Sequence, residues 1–479
     1  MSLLRAVKIA LESLTSNPHP PAPKASTLAA RPPAKQVLPA GFLLGAATAS
    51  HQVEGGNEND WSEWEKGSYP DGQPHIKHRD VSGAACDSWN RFSDDVVLLR
   101  ELGANSYRLS LEWSRLEPEE GVWNEVAAER YLEWMRLLRS QGIQPLVTLN
   151  HFTLPRWVAA QGGWTNEKTV EWIAAYTRRV AQKLGSEVDM WCTLNEPNVL
   201  MTFGYMQGTW PPGQKDAKLG LQVLARQIRA HARMARELRE HDTVDADGDG
   251  HATRVGIAHH VRIFQPATAW PWDRLMAGFT DYSFNEVLVD VNRTGRIQIT
   301  VPGIADIDEA VPDLKGSYDY LGLNYYSRDM VRMDLSNPTL SRQYVAEGRP
   351  VNDLGWDIYP EGLYQVLKRY ARAGLPLYVT ENGMPDKTEQ RRPGFLREHF
   401  EALLLAASEG VDVRGYFHWS LLDNFEWAEG FEPRFGLFGV DYKSPDKRRV
   451  PTPAVATFQE LARELGLSPR ARTDAASYS

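Results

Sequence analysis

Short apolar runs recur along the whole chain, and nearly every one is followed by a longer stretch with the helical period. Strand-like runs cover residues 42–47, 105–114, 143–149, 188–194, 254–260, 318–323, 376–380 and 414–419. Between and after them, apolar positions fall on one helical face. The clearest is Ala127, Tyr131, Trp134 and Leu138, closed by Gly142, and similar faces run over 167–184, 219–241, 273–291, 361–373, 395–408 and 454–465. Eight strand-then-helix units in strict alternation predict an α/β fold, a single (β/α)₈ TIM barrel with long strand-to-helix loops. Most of the strands end abruptly on polar residues, and the carboxyl ends of barrel strands are where such folds place their chemistry.

The flanks read differently. Residues 3–14 put Leu3, Val7, Leu11 and Leu14 on one face of a short amphipathic helix, and from 17 to 39 the composition turns to Pro, Ala, Ser and Lys. The expected organisation is a flexible Pro/Ala-rich tail at 1–39 carrying that helix, a catalytic body at 40–467 and a second tail at 468–479. With no run of about 18 apolar residues and no signal-type apolar stretch, neither a membrane span nor secretion is expected.

Composition narrows the partners. A formal net charge of −9 offers no basic excess to release counterions from nucleic acid. Two cysteines, Cys86 and Cys192, make no disulfide framework and point to a reducing, cytoplasmic setting. Sixteen tryptophans are many, and those outside helical stripes suit stacking on the C–H face of a sugar ring. Metal is not expected at the site. His75 with His78 and His259 with His260 lack zinc-ligand spacing. Asp245-Ala246-Asp247-Gly248-Asp249-Gly250 begins like a calcium loop but has Gly256 where the bidentate glutamate belongs, so a solvated acidic turn is preferred over weak calcium binding.

Chemistry concentrates at two strand ends. Val188 to Leu194 runs into Asn195-Glu196-Pro197, where the proline keeps Glu196 out of the right-handed helical region and ends the strand. Residues 376–380 run into Glu381-Asn382-Gly383. In a barrel both carboxylates reach one rim, together with the midstrand Arg108 and the strand-end His151, Asn324 and Tyr326. Such a pair suits glycosidic cleavage, in which one carboxyl protonates the leaving oxygen and the other, kept ionised by an arginine and a tyrosine hydroxyl, attacks or stabilises the oxocarbenium-like centre.

These stretches resemble glycoside hydrolase family 1, the β-glucosidase family. Thr193-Leu194-Asn195-Glu196-Pro197 and Tyr378-Val379-Thr380-Glu381-Asn382-Gly383 are similar to its acid/base and nucleophile motifs. Gln52-Val53-Glu54-Gly55, Cys86-Asp87, Tyr107-Arg108, Asn324-Tyr325-Tyr326, Gly355-Trp356-Asp357 and the run from Trp419 to Trp427 match further blocks in order. The resemblance implies a retaining β-glycosidase without a cofactor, acting on β-glucosides and also on β-galactosides and β-fucosides. It implies Glu196 as general acid/base and Glu381 as nucleophile, with Arg108, Asn324 and Tyr326 supporting the nucleophile. Gln52, His151, Asn195, Glu426 and Trp427 would bind sugar hydroxyls, Trp419 would floor the glycone and Trp356 would line the leaving-group side. The setting of His151, Asn150-His151-Phe152-Thr153-Leu154-Pro155, departs from the family pattern. Glu426 and Glu429 stand where the phospho-sugar branch has a serine and lysine, which favours an unphosphorylated sugar. Glu196 in place of glutamine argues against the thioglucosidase branch. Transfer to an alcohol through the same intermediate and a non-catalytic sugar-binding barrel are the alternatives.

Overall fold

The computed structural model describes residues 2–15, 18–29, 33–337 and 340–469. Eight parallel strands form the barrel: β1 (Leu43–Ala47), β2 (Ser106–Ser110), β3 (Gln144–Asn150), β4 (Met190–Asn195), β5 (Arg254–Pro266), β6 (Tyr320–Met333), β7 (Leu377–Asn382) and β8 (Val413–Trp419). Each pairs with the next, and β8 pairs with β1, so no barrel edge is left open. All eight runs expected from the sequence are therefore strands. One is shorter than expected: β2 stops at Ser110, and Trp113–Leu116 is a helical turn instead.

The lumen is packed by alternate residues of these strands, among them Leu43, Leu146, Met190, Cys192, Ala258, Tyr320, Tyr378 and Phe417. The intervening residues face an outer ring of helices. The ring includes α2 (Ser88–Leu102), α3 (Glu125–Ser140), α4 (Thr169–Leu184), α5 (Ala217–His241), α6 (Pro271–Asp281), α7 (Val287–Thr294), α8 (Pro360–Tyr370), α9 (Arg392–Ser408) and α10 (Ala454–Glu464), with α1 (Ser2–Thr15) ahead of the barrel. Local chemistry fixes several starts. The side chain of Asn124 accepts from the Ala127 amide and that of Asp216 from the Leu219 amide, each satisfying a donor the helix leaves free. The single helix expected over 273–291 is instead α6 and α7, joined by a wide turn at Tyr282–Glu286. A hairpin, Arg296–Val301 with Ala305–Ala310, follows and was not anticipated.

The stretch read as a flexible tail packs on the barrel wherever it is described. Helix α1 lies along α6, so closely that a Cβ at Gly278 would fall 1.7 Å from Ser13 Oγ. Arg5 donates to Thr300 Oγ1 at 3.1 Å. His19 is buried, 3.1 Å from Arg369 Nη1 and 3.2 Å from Asp281 Oδ1, and burial holds its pKa below the ordinary histidine value. Leu28, Ala34 and Leu38 are buried as well. The Pro/Ala composition of 17–39 reads as a linker or tail. It could not signal docking, which rests here on a few side chains and one buried charge cluster. Most of the expected C-terminal tail, 470–479, lies outside the described residues.

A second buried ion pair, Arg449 Nε to Asp95 Oδ1 at 3.0 Å, ties the chain after β8 to α2, with both side chains at most 2% exposed. Arg449→Met is expected to destabilise by about 3–5 kcal/mol, because it leaves a buried carboxylate without its counter-charge. The denaturant midpoint with unchanged slope would measure it; a loss below about 1 kcal/mol would contradict the expectation.

Among the described residues no helix is long and apolar enough to cross a membrane, and Cys86 and Cys192 are both buried and unpaired.

Candidate active site

Strand ends on the C-terminal rim surround a cavity of about 590 Å³ lined by Glu196, Glu381, His151, Asn195, Tyr326, Trp356, Trp419, Glu426 and Trp427, among others. Strand β4 ends at Asn195, and Glu196 sits in the left-handed region at φ 45°, ψ 59°, with Pro197 opening the next turn. A non-glycine residue held there stores about 1–3 kcal/mol, which the surrounding barrel must sustain. The β4–β5 register places Asn195 beside Ala258, and the Glu196 amide donates to the Ala258 carbonyl at 2.8 Å. On the other side, the β6–β7 register places Glu381 beside Asn324.

Glu381 takes two strong donors. Arg108 Nη1 reaches its Oε1 at 2.5 Å and the Tyr326 hydroxyl its Oε2 at 2.6 Å. The midstrand arginine of β2 is thus paired across the lumen, as a buried charge requires. Its second nitrogen donates to Asn195 Oδ1 at 2.7 Å, so one guanidinium fixes both the β4 end and the β7 end. Asn324 bridges the same two ends. Its Nδ2 donates to Glu196 Oε1 at 2.8 Å and to Asn195 Oδ1 at 3.1 Å, while its Oδ1 accepts from the Thr380 hydroxyl at 2.6 Å.

Glu196 has a partner that the sequence reading considered only as a zinc candidate and set aside. His260 Nδ1 lies 2.9 Å from Glu196 Oε1, and the ring stacks near Tyr326 at 5.7 Å and 21°. Strand periodicity explains why this histidine and not its neighbour is at the site. Ala258 faces the lumen, so His260, two residues on, does too, whereas His259 points outward to the Asn285 carbonyl. An alternation count along β5 would have found it.

The carboxylates differ in their hold on a proton. Burial pushes Glu381 up to about 7; Arg108 and the Tyr326 hydroxyl pull against it, while the charge of Glu196 adds to the rise. Burial also acts to raise Glu196, but His260 and Asn324 outweigh it and hold it below the usual carboxylate range. The pair's proton therefore leans toward Glu381. Glu426 is pushed up to about 8, by burial first and then by the charges of Glu381 and Glu196.

The remaining expected residues come together around the same cavity. Asn195 Nδ2 donates to His151 Nε2 at 3.0 Å, which leaves the ring proton on Nδ1. That buried Nδ1 finds no partner among the described residues, and neither does Gln52 Oε1. Gln52 spends its amide nitrogen on Asn424 Oδ1 at 3.0 Å, the Phe425 carbonyl at 2.9 Å and Glu426 Oε2 at 3.3 Å. One unused donor and one unused acceptor, both buried, are the complement of a hydroxyl-rich ligand. Trp419 lies alongside His151 at 5.8 Å and 25°, and Trp427 alongside His51 at 5.7 Å and 13°. Trp356 meets Tyr326 edge-on at 5.7 Å and lies near Phe435, lining the same cavity.

Among the described residues, the acidic groups that could hold a cation lie elsewhere: Glu237, Glu240 and His241 at the end of α5, and a second group before β4. Asp189, just before β4 and so at the opposite end of the barrel, gathers with Asp245 and Asp247. Within that loop Asp245 already accepts from the amides of Gly248, Asp249 and Gly250.

A closed (β/α)₈ barrel carrying two buried carboxylates across one aromatic-walled cavity defines a class, the barrel enzymes that cut glycosidic bonds. The chain belongs to glycosyl hydrolase family 1, whose family model matches residues 34–467. It is 35% identical to a 1,4-beta-D-glucan glucohydrolase of Thermotoga neapolitana over 430 residues, 85% of this chain and 98% of that relative. It is 34% identical to a bifunctional beta-D-glucosidase/beta-D-fucosidase of Bifidobacterium breve, over 86% of this chain and 95% of that one. A solved structure of the Thermotoga maritima beta-glucosidase in complex with glucoimidazole superposes with a TM-score of 0.81 at 32% identity, covering 90% of this chain and all of that one. The chain is accordingly an O-glycoside hydrolase of the β-glucosidase type.

Proposed function

We propose that the chain hydrolyses terminal non-reducing β-D-glucosyl residues, and β-galactosyl and β-fucosyl residues alongside them, by double displacement with retention. The observation that carries this reading is the unlike company of the two carboxylates. Glu381 lies against the permanent charge of Arg108 and the Tyr326 hydroxyl, suited to an attacking anion, while Glu196 lies against the Asn324 amide and the His260 ring and lines the same cavity.

In the first step Glu381 attacks the anomeric carbon while Glu196 gives its proton to the glycosidic oxygen, releasing the alcohol and leaving a glycosyl ester. In the second, Glu196 takes a proton from water, which displaces the ester and regenerates both carboxyls. The resting lean of the proton toward Glu381 is the reverse of what the first step needs. Positive charge developing at the anomeric carbon favours an ionised Glu381, so the distribution improves as the transition state is approached, which is where stabilisation accelerates a reaction. His151 Nδ1, Gln52 Oε1 and Glu426 are placed to take glycone hydroxyls, Asn195 the 2-hydroxyl, Trp419 and Trp427 the ring, and Trp356 the leaving group. Glu426 and Glu429 at the cavity disfavour a 6-phosphate. The named activities of the Bifidobacterium relative, on glucoside and fucoside, support a tolerant glycone site. The two buried free cysteines support a reducing, cytoplasmic setting.

The test is kcat/KM of the full chain on aryl β-glucoside and aryl β-galactoside in parallel, with chelator present. Turnover with a β-configured first product is expected. A folded protein silent on both would sink the reading, and an α-configured first product would sink the double displacement.

A further inference from the structure

We propose that His260 is a positioning residue that serves the second half of the reaction: by donating its Nδ1–H to Glu196 Oε1 it keeps Glu196 in the ionised form that must act as base, and it leaves Oε2 to meet the water. This rests on the double-displacement reading and assigns a role to a residue outside the family motifs.

The geometry is specific. Both described hydrogen bonds to the Glu196 carboxyl, from His260 Nδ1 at 2.9 Å and Asn324 Nδ2 at 2.8 Å, fall on one oxygen, Oε1. Two donors on one oxygen make the carboxyl asymmetric, so the other oxygen is the one available for proton exchange. The ring cannot easily turn away. It is 8% exposed, lies nearly parallel to Tyr326 and is met edge-on by Phe284 at 5.6 Å. The direction of the Glu196 shift, downward despite burial, agrees with donors gathered on its anion.

The consequence differs between the two half-reactions. In the free enzyme Glu196 shares its titration with Glu381, so a hydrogen bond to one carboxyl is partly hidden by movement of the proton to the other. Once Glu381 is esterified it no longer titrates. Glu196 is then left facing His260 from β5, Asn324 and Tyr326 from β6, Arg108 from β2 and, farther along the rim, Glu426 and the His151–Asn195 pair. Of these, His260 and Asn324 touch the carboxyl directly; Asn324 also bonds Asn195 and Thr380, whereas His260 makes no hydrogen bond to a partner of Glu381 and meets Tyr326 only through its ring.

The experiment is the pH profile of kcat with an activated aryl glycoside at saturation, where hydrolysis of the ester is slow and a burst of aglycone verifies it. Two variants are compared with wild type. His260→Phe keeps the ring against Tyr326 and removes the N–H; His260→Asn places an amide N–H at the same distance from the backbone as Nδ1. The base must be ionised, so kcat falls as pH drops through the Glu196 pKa of the intermediate. Losing a donor to the anion raises that pKa, and the acid limb of His260→Phe is expected to move up by about one pH unit, with His260→Asn returning it close to wild type. An unmoved limb in His260→Phe, or an equal shift in both variants with both folded, would overturn the assignment of the N–H. Absence of a burst together with an α-configured first product in wild type would instead remove the double displacement, independently of where the limbs lie.

Discussion

Glu381→Ala is expected to lose at least about 10⁴-fold in kcat/KM on alkyl and aryl β-glycosides alike. On the proposed mechanism, cleavage needs the nucleophile whatever the leaving group, so no substrate is spared. The loss has to be separated from instability, because the variant strands Arg108 in the lumen without its 2.5 Å counter-ion, a change that costs about 3–5 kcal/mol. Circular dichroism and the unfolding midpoint make that separation. A small external anion such as azide supplies a further readout: entering from the face that Glu381 vacates, it would give an α-glycosyl azide from an activated β-glycoside. Turnover near the wild-type level on any substrate would move the nucleophile elsewhere.

Glu196→Ala is expected to split substrates by leaving group. Alkyl glycosides, whose departing oxygen needs a proton, should lose about 10²–10⁴-fold. Activated aryl glycosides should still form the ester at close to the wild-type rate, since their leaving group departs as an anion. The second step then lacks its base and becomes slow, and azide, attacking the ester from the water face, should speed it and give a β-glycosyl azide. The opposite configurations of the two azide products would assign the carboxyls independently of any rate. Equal losses on alkyl and aryl substrates would defeat the acid assignment of Glu196.

The barrel was readable because its strands carry nearly continuous apolar runs and most stop sharply on polar residues; Asn195-Glu196 where β4 ends and Glu381-Asn382 at the end of β7 are the plainest cases. Arg108 was readable as needing a partner, since nothing else explains a charge inside β2, and it has one in Glu381. His260 was not, for a physical reason. A histidine announces metal chemistry by spacing, but its role as a hydrogen-bond donor depends only on which face of the strand it occupies, and that appears only when the period-two alternation is carried through to the strand end. The segment 18–39 escaped similarly. Its docking depends on His19 meeting Asp281 and Arg369, residues more than 260 positions away, and no local composition encodes such a meeting. The break between α6 and α7 has its own local cause, the wide turn at Tyr282–Glu286 that brings Asn285 to the backbone of Arg262 and Phe284 to the cavity wall.

The span of Arg108 from Glu381 to Asn195 has an energetic consequence for the order of events. While Glu381 is a free carboxylate the guanidinium is neutralised; when the carboxylate becomes an ester, the same guanidinium is a buried cation whose described acceptors are the Thr380 carbonyl and Asn195 Oδ1. On the proposed double displacement, forming the ester would therefore remove the counter-charge of Arg108, and its breakdown would restore an ion pair in a medium where that pair interacts strongly. On that reading the lost ion pair weighs against lasting attachment of the sugar to the protein and favours its departure.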